Sequence, residues 1–399
     1  MLEYYSTILG YRVVFVNDQI YVYILPLSDY ILDVTDEQTK KVKPGISAFD
    51  DKLPEIGPYL KPLIEYVETQ VPVAYHEYTP FAFRATAGMR VEDAFVDLDL
   101  AESNERVGIS VMDGLHEGAY AWMTVNKLLG LMETANAETN ETATLSAATV
   151  DMGGASMQLA YLPLHRLDPD SASYDKYFAQ PMDIAGQEIV LYSHSYLGAG
   201  LVHARHRITE LDQFKSSCFP PGITTVWNPF MKSDVTVTGS DSYSYDACYA
   251  KAKEYVTSQG ISSDHELNNA NSKRPVYVFS YVYDVVQVMG LVGEGQGFTP
   301  NVELFKQEAQ KACSRTVGDI SNPNSFFEPW QCLDLTYMYS SFTDGFGFSD
   351  QKPLEVINTI KGHGISWALG KSYWLAEQNI LENAAKPDTC DISASANKS

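Results

Sequence analysis

The sequence predicts an α/β protein built as two domains. Three observations carry that expectation. Short β-rich runs end in small-residue turns three times, at residues 81–86, 107–112 and 149–152. Stretches with apolar residues at helical spacing lie between and after them. The chain has 399 residues, 45% of them hydrophobic, which is too long for one simple core and supplies ample apolar surface to bury. A disordered or fibrous chain is disfavoured on the same grounds. Strands and helices mixed in this way pack as α/β layers.

Taken in order, residues 11–15 and 20–25 are β-rich and flank Val16-Asn17-Asp18-Gln19, the pattern of a hairpin with a short turn. Residues 53–68 carry apolar side chains at helical spacing and stop near Pro72. Residues 117–131 predict a long helix: Ala119, Trp122, Val125, Leu128 and Leu129 share a face, and Gly130 marks the end. A strand over 157–162 follows Gly153-Gly154. Residues 251–258 and 302–313 read as helices, 276–279 as a strand and 352–359 as a helix. Residues 365–375 open the last structured element. There is no fixed-period repeat and no low-complexity tract.

The formal net charge is −23, so a role coating DNA or RNA is disfavoured. A small anion can still be held by backbone N–H groups and a divalent cation inside an acidic protein. Five cysteines are present, Cys218, Cys248, Cys313, Cys332 and Cys390, and none forms a CxxC, which argues against zinc. The first four fall as two local pairs, a spacing that suits two disulfides in an oxidising compartment. Buried free thiols in a cytosolic protein are the alternative, and Cys390 is the odd one out. The longest apolar run, 276–292, contains Asp284 and Gln287 and reads as core rather than a membrane span. Residues 1–10 include Glu3 and no basic start, so they do not read as a signal peptide. Asn140-Glu141-Thr142 and Asn397-Lys398-Ser399 are glycosylation sequons, triplets that also arise often by chance.

Three motifs carry chemistry. In Asp151-Met152-Gly153-Gly154-Ala155-Ser156-Met157-Gln158 a strand ends in an acid and two glycines follow. Glycine lets backbone N–H groups approach an anion, Ser156 and Gln158 can orient a water, and Asp151 can hold a hydrated cation. Alone, a Gly-Gly turn is far more often a tight hairpin. In Ala85-Thr86-Ala87-Gly88-Met89-Arg90 a hydroxyl and a cation follow a strand closely, which suits an anion pocket, although Arg90 could equally cap a helix or pair with Glu92. In Asp113-Gly114-Leu115-His116-Glu117-Gly118 an acid opens a long helix, whose N-terminus favours its charge. An ionised Glu117 within reach of a water can activate it. An ordinary first-turn Glu is the commoner role for such a residue.

Together and in this order, the motifs resemble the conserved regions of the apyrase-type nucleoside phosphohydrolases. Residues 85–90 are similar to that family's second region, 114–130 to its third, including Asn126, 151–158 to its fourth, and Trp367-Ala368-Leu369-Gly370 to its fifth. Lys43-Pro44-Gly45-Ile46-Ser47 resembles the stretch between its first two regions. His194-Ser195-Tyr196-Leu197-Gly198, the Cys218-Phe219-Pro220 turn, Phe279-Ser280-Tyr281-Val282-Tyr283-Asp284 and the blocks at 332–337 and 344–348 resemble its Golgi and secretory nucleoside-diphosphatase branch.

The resemblance implies two ribonuclease-H-like lobes, as in actin and the heat-shock ATPases, with an active-site cleft between them. Residues 1–112 plus 361–399 would form one lobe and 113–360 the other. It implies metal-dependent hydrolysis of the terminal phosphate of nucleoside di- or triphosphates, favouring diphosphates such as GDP or UDP, with Ca²⁺ or Mg²⁺. Glu117 would be the general base, Ser156 and Gln158 would position the water, and Asp151 would hold the metal through water. Gly153, Gly154, Ala155, Met157, Thr86 and Arg90 would bind phosphate, Trp367 would support the cleft, and Tyr283 and Phe346 would contact the base. Core packing is an equally good expectation for those two rings. Cys218 is expected to pair with Cys248 and Cys313 with Cys332, in a secretory lumen or outside the cell. No nucleic-acid partner is implied.

The chain departs from the pattern at the family's first region, an Asp-x-Gly-Ser-x-Gly-type phosphate loop. Here Val16-Asn17-Asp18-Gln19-Ile20 has neither glycine nor hydroxyl. Phosphoryl transfer depends on positioning and on stabilising charge over the phosphoryl oxygens, and one lost preorganised donor costs on the order of a hundred-fold in rate. The alternative function is therefore a nucleotide-binding pseudoenzyme. His116 and Met157 are smaller departures.

Overall fold

A computed structural model describes residues 8–16, 19–28, 31–32, 36–42, 53–74, 81–86, 108–132, 146–164, 179–184, 187–229, 233–263, 265–269 and 272–385. Strands β1 (Ile8–Val16) and β2 (Gln19–Ser28) form the expected hairpin. Val16 pairs with Gln19, so only the two residues 17 and 18 connect them. β3 (Ile31–Leu32) and β4 (Asp36–Lys41) both pair antiparallel with β2. After helix α1 (Leu53–Gln70), β5 (Phe81–Ala85) joins β1 in parallel and β6 (Gly108–Val111) joins β5.

Helix α2 (Gly114–Leu129) leads to the second sheet. It begins three residues earlier than its apolar pattern suggests because Asp113 caps it, accepting from the His116 N–H, and Gly130 closes it at φ 76°. Then come β7 (Ala148–Met152), β8 (Ser156–Tyr161), β9 (Ala179–Ile184) and β10 (Gln187–Leu197). Helix α3 (Leu201–Leu211) is followed by a small sheet of β11 (Lys215–Ser216), β12 (Thr224–Trp227) and β13 (Val235–Gly239). Helix α4 (Tyr245–Ser258) precedes β14 (Val276–Ser280), which runs straight into α5 (Tyr281–Val288). Helices α6 (Glu303–Ala312) and α7 (Gln331–Ser340), strand β15 (Glu355–Val356), the hairpin β16 (Thr359–Ile360) and β17 (His363–Gly364), and helix α8 (Trp367–Ala385) complete the chain.

The second sheet has the order β15-β14-β7-β8-β10-β9, and it repeats the plan of the first. In each, a first strand pairs antiparallel with a second and the second with a third. Two later strands then extend the first in parallel: β5 and β6 beside β1, β14 and β15 beside β7. This duplicated α/β plan is the ribonuclease-H-like architecture that the sequence resemblance implies.

Side-chain alternation along the strands divides the core in two. Val150, Met152, Met157 and Leu159 point to the face covered by α3, α4, α5, α6 and α7. Ala160, Leu191 and Phe279 point the other way, into a cluster with α2, α8 and Tyr23 of the first sheet. Helices α2 and α8 thus lie between the sheets. They cross closely because residue 370 is glycine: a Cβ there would lie 1.9 Å from the Tyr120 carbonyl oxygen. The Trp367-Ala368-Leu369-Gly370 block is therefore a helix-packing motif, with Trp367 5% exposed.

The disulfides are Cys218–Cys248 and Cys313–Cys332, the expected pairing. The Cys248, Cys313 and Cys332 sulfurs lie within 4.8 Å of one another, but all are committed to these bonds and are not metal ligands. Cys390 and both sequons lie outside the described residues, as does Lys43-Pro44-Gly45-Ile46-Ser47. The helix expected over 352–359 is absent. That segment is extended because Glu355 and Val356 pair with Tyr277 and Val278, covering the edge of β14. The apolar run 276–292 splits into β14 and α5, and no described helix is long and apolar enough to cross a membrane.

Two glycine-to-alanine changes probe this packing. Gly370→Ala is expected to lower stability by about 1–3 kcal/mol through overpacking against α2. Gly57→Ala, in α1 directly before Pro58, meets no atom within 4 Å beyond its chain neighbours and its own helix, and is expected to change stability by less than about 1 kcal/mol, the gain of alanine in a helix opposing the crowding of its Cβ by the proline ring. Urea unfolding of the two variants measures the difference.

Candidate active site

The site begins with strand register. Asp151 of β7 stands opposite Gln158 of β8, and Gln158 opposite Ser195 of β10. Opposed residues share a face, and so does Ser156, two positions from Gln158. Gln158 Nε2 donates to Ser156 Oγ at 2.6 Å and to Ser195 Oγ at 2.9 Å. The amide is thereby fixed with its oxygen free of these contacts. Asp151, Ser156 and Gln158 are all buried. Met157 lies between them in sequence, so its side chain points to the opposite face and is fully buried in the core. The expectation that it helps bind phosphate is corrected to that extent.

Two acceptor atoms on this face, Asp151 Oδ1 and Gln158 Oε1, are buried without a hydrogen-bond partner among the described residues. Buried polar atoms are nearly always paired, so two orphan oxygens on paired strands leave room for a cation or an ordered water. A lone carboxylate beside an amide oxygen suits a hard divalent ion that keeps much of its water. The donor set therefore fits a divalent cation held through water.

Burial pushes the Asp151 carboxyl up to about 6, opposed by a hydrogen bond from the Ser280 hydroxyl. Ser280 ends β14 at φ 60°, ψ −131°, a region that costs a non-glycine residue of order 1–3 kcal/mol. The strained backbone turns its side chain to Asp151. Sequence reasoning missed Ser280, since nothing in Phe279-Ser280-Tyr281 signals a positive φ.

The hairpin between β7 and β8 presents backbone donors. The carbonyls of Gly153, Gly154 and Ala155 accept from the N–H groups of Leu201 (2.9 Å), His203 (3.0 Å) and Gly198 (2.8 Å). In a trans peptide the next N–H points opposite the carbonyl. Those of Gly154 and Ala155 therefore point away from α3, and no described backbone carbonyl accepts them. The close approach requires Gly200: a Cβ there would lie 2.4 Å from Ala155 N.

The first turn of α2 rests on the same strands. A Cβ on Gly118 would lie 2.6 Å from Ser193 Oγ and 3.4 Å from Gln158 Cβ, and Ser193 Oγ donates to the Leu115 carbonyl at 2.7 Å. Glu117, 7% exposed, is the residue before this contact. The structure thus brings the first turn of α2 to Gln158, as the motifs imply. Thr86, buried, directly follows β5, while Arg90 lies outside the described residues.

Tyr283 and Phe346 are both fully buried. Tyr283 donates its hydroxyl to the Gly293 carbonyl at 2.9 Å, and Phe346 packs edge-on against Tyr196. Each ring fills the core, so the base-contact expectation is corrected to packing. A different pair lies beside the β7–β8 hairpin. Tyr281 Cε2 is 3.7 Å from the Cβ position of Gly154, and its ring stacks on Phe326 at 5.9 Å. Phe326 is 44% exposed. Sequence gave no hint of Phe326, which lies 45 positions from Tyr281 on a loop of unremarkable composition.

Residues 16–388 match the GDA1/CD39 (nucleoside phosphatase) family. The chain is 34% identical over 379 residues to the nucleoside-diphosphatase uda-1 of Caenorhabditis elegans, covering 88% of this chain and 77% of that protein. It is 26% identical over 387 residues to the nucleoside diphosphate phosphatase ENTPD5 of Homo sapiens, covering 90% and 84%. A solved structure of a nucleoside triphosphate hydrolase from Neospora caninum is similar in fold, with a TM-score of 0.54 at 13% identity over 92% of this chain and 91% of that one.

The raised Asp151 carboxyl fixes the sign of a stability effect. Its folded value of about 6 lies above the ordinary 3.8, so the ionised group opposes folding most above pH 6, and the penalty vanishes below about pH 4. Asp151→Asn is expected to stabilise the protein in EDTA by up to about 3 kcal/mol at pH 7.5, with the gain shrinking as pH falls toward 4. Urea titrations of both proteins across that range measure it.

Proposed function

This chain belongs to the GDA1/CD39 (nucleoside phosphatase) family, and on that premise we propose that it hydrolyses the terminal phosphate of nucleoside diphosphates such as GDP or UDP. The observation that carries the reading is the pair of orphaned oxygens, Asp151 Oδ1 and Gln158 Oε1, beside the first turn of α2 that bears Glu117. Gly154 and Ala155 offer N–H groups to the terminal phosphate. Ser156 and Gln158 orient a water against it, and Glu117 takes the proton as the water oxygen bonds to phosphorus. The bridging P–O bond breaks, releasing inorganic phosphate and the shortened nucleotide. A divalent cation, Ca²⁺ or Mg²⁺, held through water by Asp151 would neutralise phosphate charge. By resemblance, Thr86 and Arg90 would also take part in binding phosphate. Tyr281 and Phe326 offer ring faces to the base, a sequence-tolerant contact.

The two domains are inferred to be residues 1–112 plus 361–399 and 113–360, with the site between them. The two disulfides favour a secretory lumen or the cell exterior. A second reading, a nucleotide binder with impaired turnover, is favoured by one observation. The β1–β2 hairpin closes on two residues, where its β7–β8 counterpart has four between Met152 and Met157. A two-residue connection is too short to repeat the four-residue turn of β7–β8.

Phosphate release from GDP, UDP, ADP and ATP with Ca²⁺, Mg²⁺ or EDTA separates the readings. Metal-dependent release is expected, falling about 10²–10⁴-fold in Glu117→Ala. Nucleotide binding with no release above that variant would leave the binder.

A further inference from the structure

We propose that the buried Arg205–Asp334 pair is a positioning device that holds Phe326 against Tyr281 and ties the aromatic platform to the phosphate hairpin. The inference rests on the reading of Tyr281 and Phe326 as the base platform. Both charged side chains are completely buried. Arg205 Nε and Nη2 donate to the two Asp334 oxygens at 2.7 and 2.6 Å, a fork-to-carboxylate match. The remaining nitrogen, Nη1, donates to the Phe326 carbonyl at 2.8 Å. The guanidinium also lies 4.6 Å from the Phe326 ring centroid and 5.0 Å from that of Trp330. It therefore grips Phe326 by backbone and by ring.

Position explains why this matters for the site. Leu201, one helical turn before Arg205, donates its N–H to the Gly153 carbonyl. One rigid helix, α3, thus holds the phosphate hairpin with its first turn and Phe326 with its second. The loop that carries Phe326 is fixed elsewhere too. Glu328 accepts from the Ser321 and Asn322 N–H groups at 2.8 and 2.9 Å. Asn324 Oδ1 accepts from the Val226 N–H at 3.1 Å, and Cys313–Cys332 closes the segment. None of these contacts reaches the ring. A buried ion pair is weak evidence for stability, since apolar replacement of both partners is often tolerated. A 44% exposed aromatic ring held by such a pair points instead to a requirement for orientation.

The test is equilibrium binding, by titration calorimetry, of GDP and of inorganic pyrophosphate with Mg²⁺, all in the Glu117→Ala background so that no turnover intervenes. The variants are Phe326→Ala and Arg205→Met/Asp334→Leu, the latter removing both charges together. Each is expected to weaken GDP binding about tenfold and to leave pyrophosphate binding unchanged. Combining them is expected to be no worse than either. If the double replacement does not fold, Arg205→Lys takes its place. It keeps a charge opposite Asp334 and has no second nitrogen for the Phe326 carbonyl, so the same loss is expected. A folded Arg205 variant that binds GDP as tightly as its parent, while Phe326→Ala does not, overturns the positioning role alone. Unchanged GDP binding in Phe326→Ala overturns the platform and the inference with it. Equal losses for GDP and pyrophosphate show a general structural effect and also overturn it.

Discussion

The site depends on one constraint, the grip of the β10–α3 turn on the β7–β8 hairpin. One amide of that turn and two of the first turn of α3 take three successive carbonyls of the hairpin, and planar peptides then turn the following N–H groups to the other side. The grip needs glycine at position 200, because any side chain would strike the hairpin backbone. It is supported from behind by two tyrosines of the core. Tyr255 donates to the Gly198 carbonyl at 2.8 Å and Tyr337 to the Ala199 carbonyl at 2.6 Å. The outward turn of the Gly154 and Ala155 N–H groups is thus supported by hydrogen bonds from core tyrosines.

The second ingredient is strand register. Because side chains alternate, pairing Asp151 with Gln158 and Gln158 with Ser195 places every polar group of the site on one face and every methionine of the same segment on the other. A slip of one residue would exchange them. The Asp151 carboxylate is buried at an energetic penalty, and Ser280 holds a strained backbone beside it. Local strain of both kinds is common where a structure is organised for a ligand rather than for its own stability.

Much of this was legible in the chain, and the limits have physical causes. The β7–β8 hairpin, α2 and its Gly130 stop follow from local patterns, since turn residues and helical spacing act over a few positions. The Cys pairing followed the local spacing of the cysteines. Residues 352–359 were misread because pairing with β14 outweighed local preference. Tyr283 and Phe346 were misassigned because an aromatic ring looks the same in sequence whether it fills a core or faces a cleft. Tyr281 and Phe326, which do lie beside the β7–β8 hairpin, are 45 positions apart and meet only through the tertiary fold. Ser280 and Gly200 were also invisible, since a positive φ and a close backbone contact leave no pattern in one sequence.

The account's central claim is that one cradle, the β7–β8 hairpin with Asp151 and Gln158 beside Glu117, receives the phosphate and its cation. A crystal structure with Mg²⁺ and a non-hydrolysable nucleoside diphosphate analogue tests it most directly. The account predicts the terminal phosphate on the Gly154 and Ala155 N–H groups, with cation-bound water at Asp151 Oδ1. Phosphate bound elsewhere, with Asp151 and Gln158 still lacking partners, would contradict it.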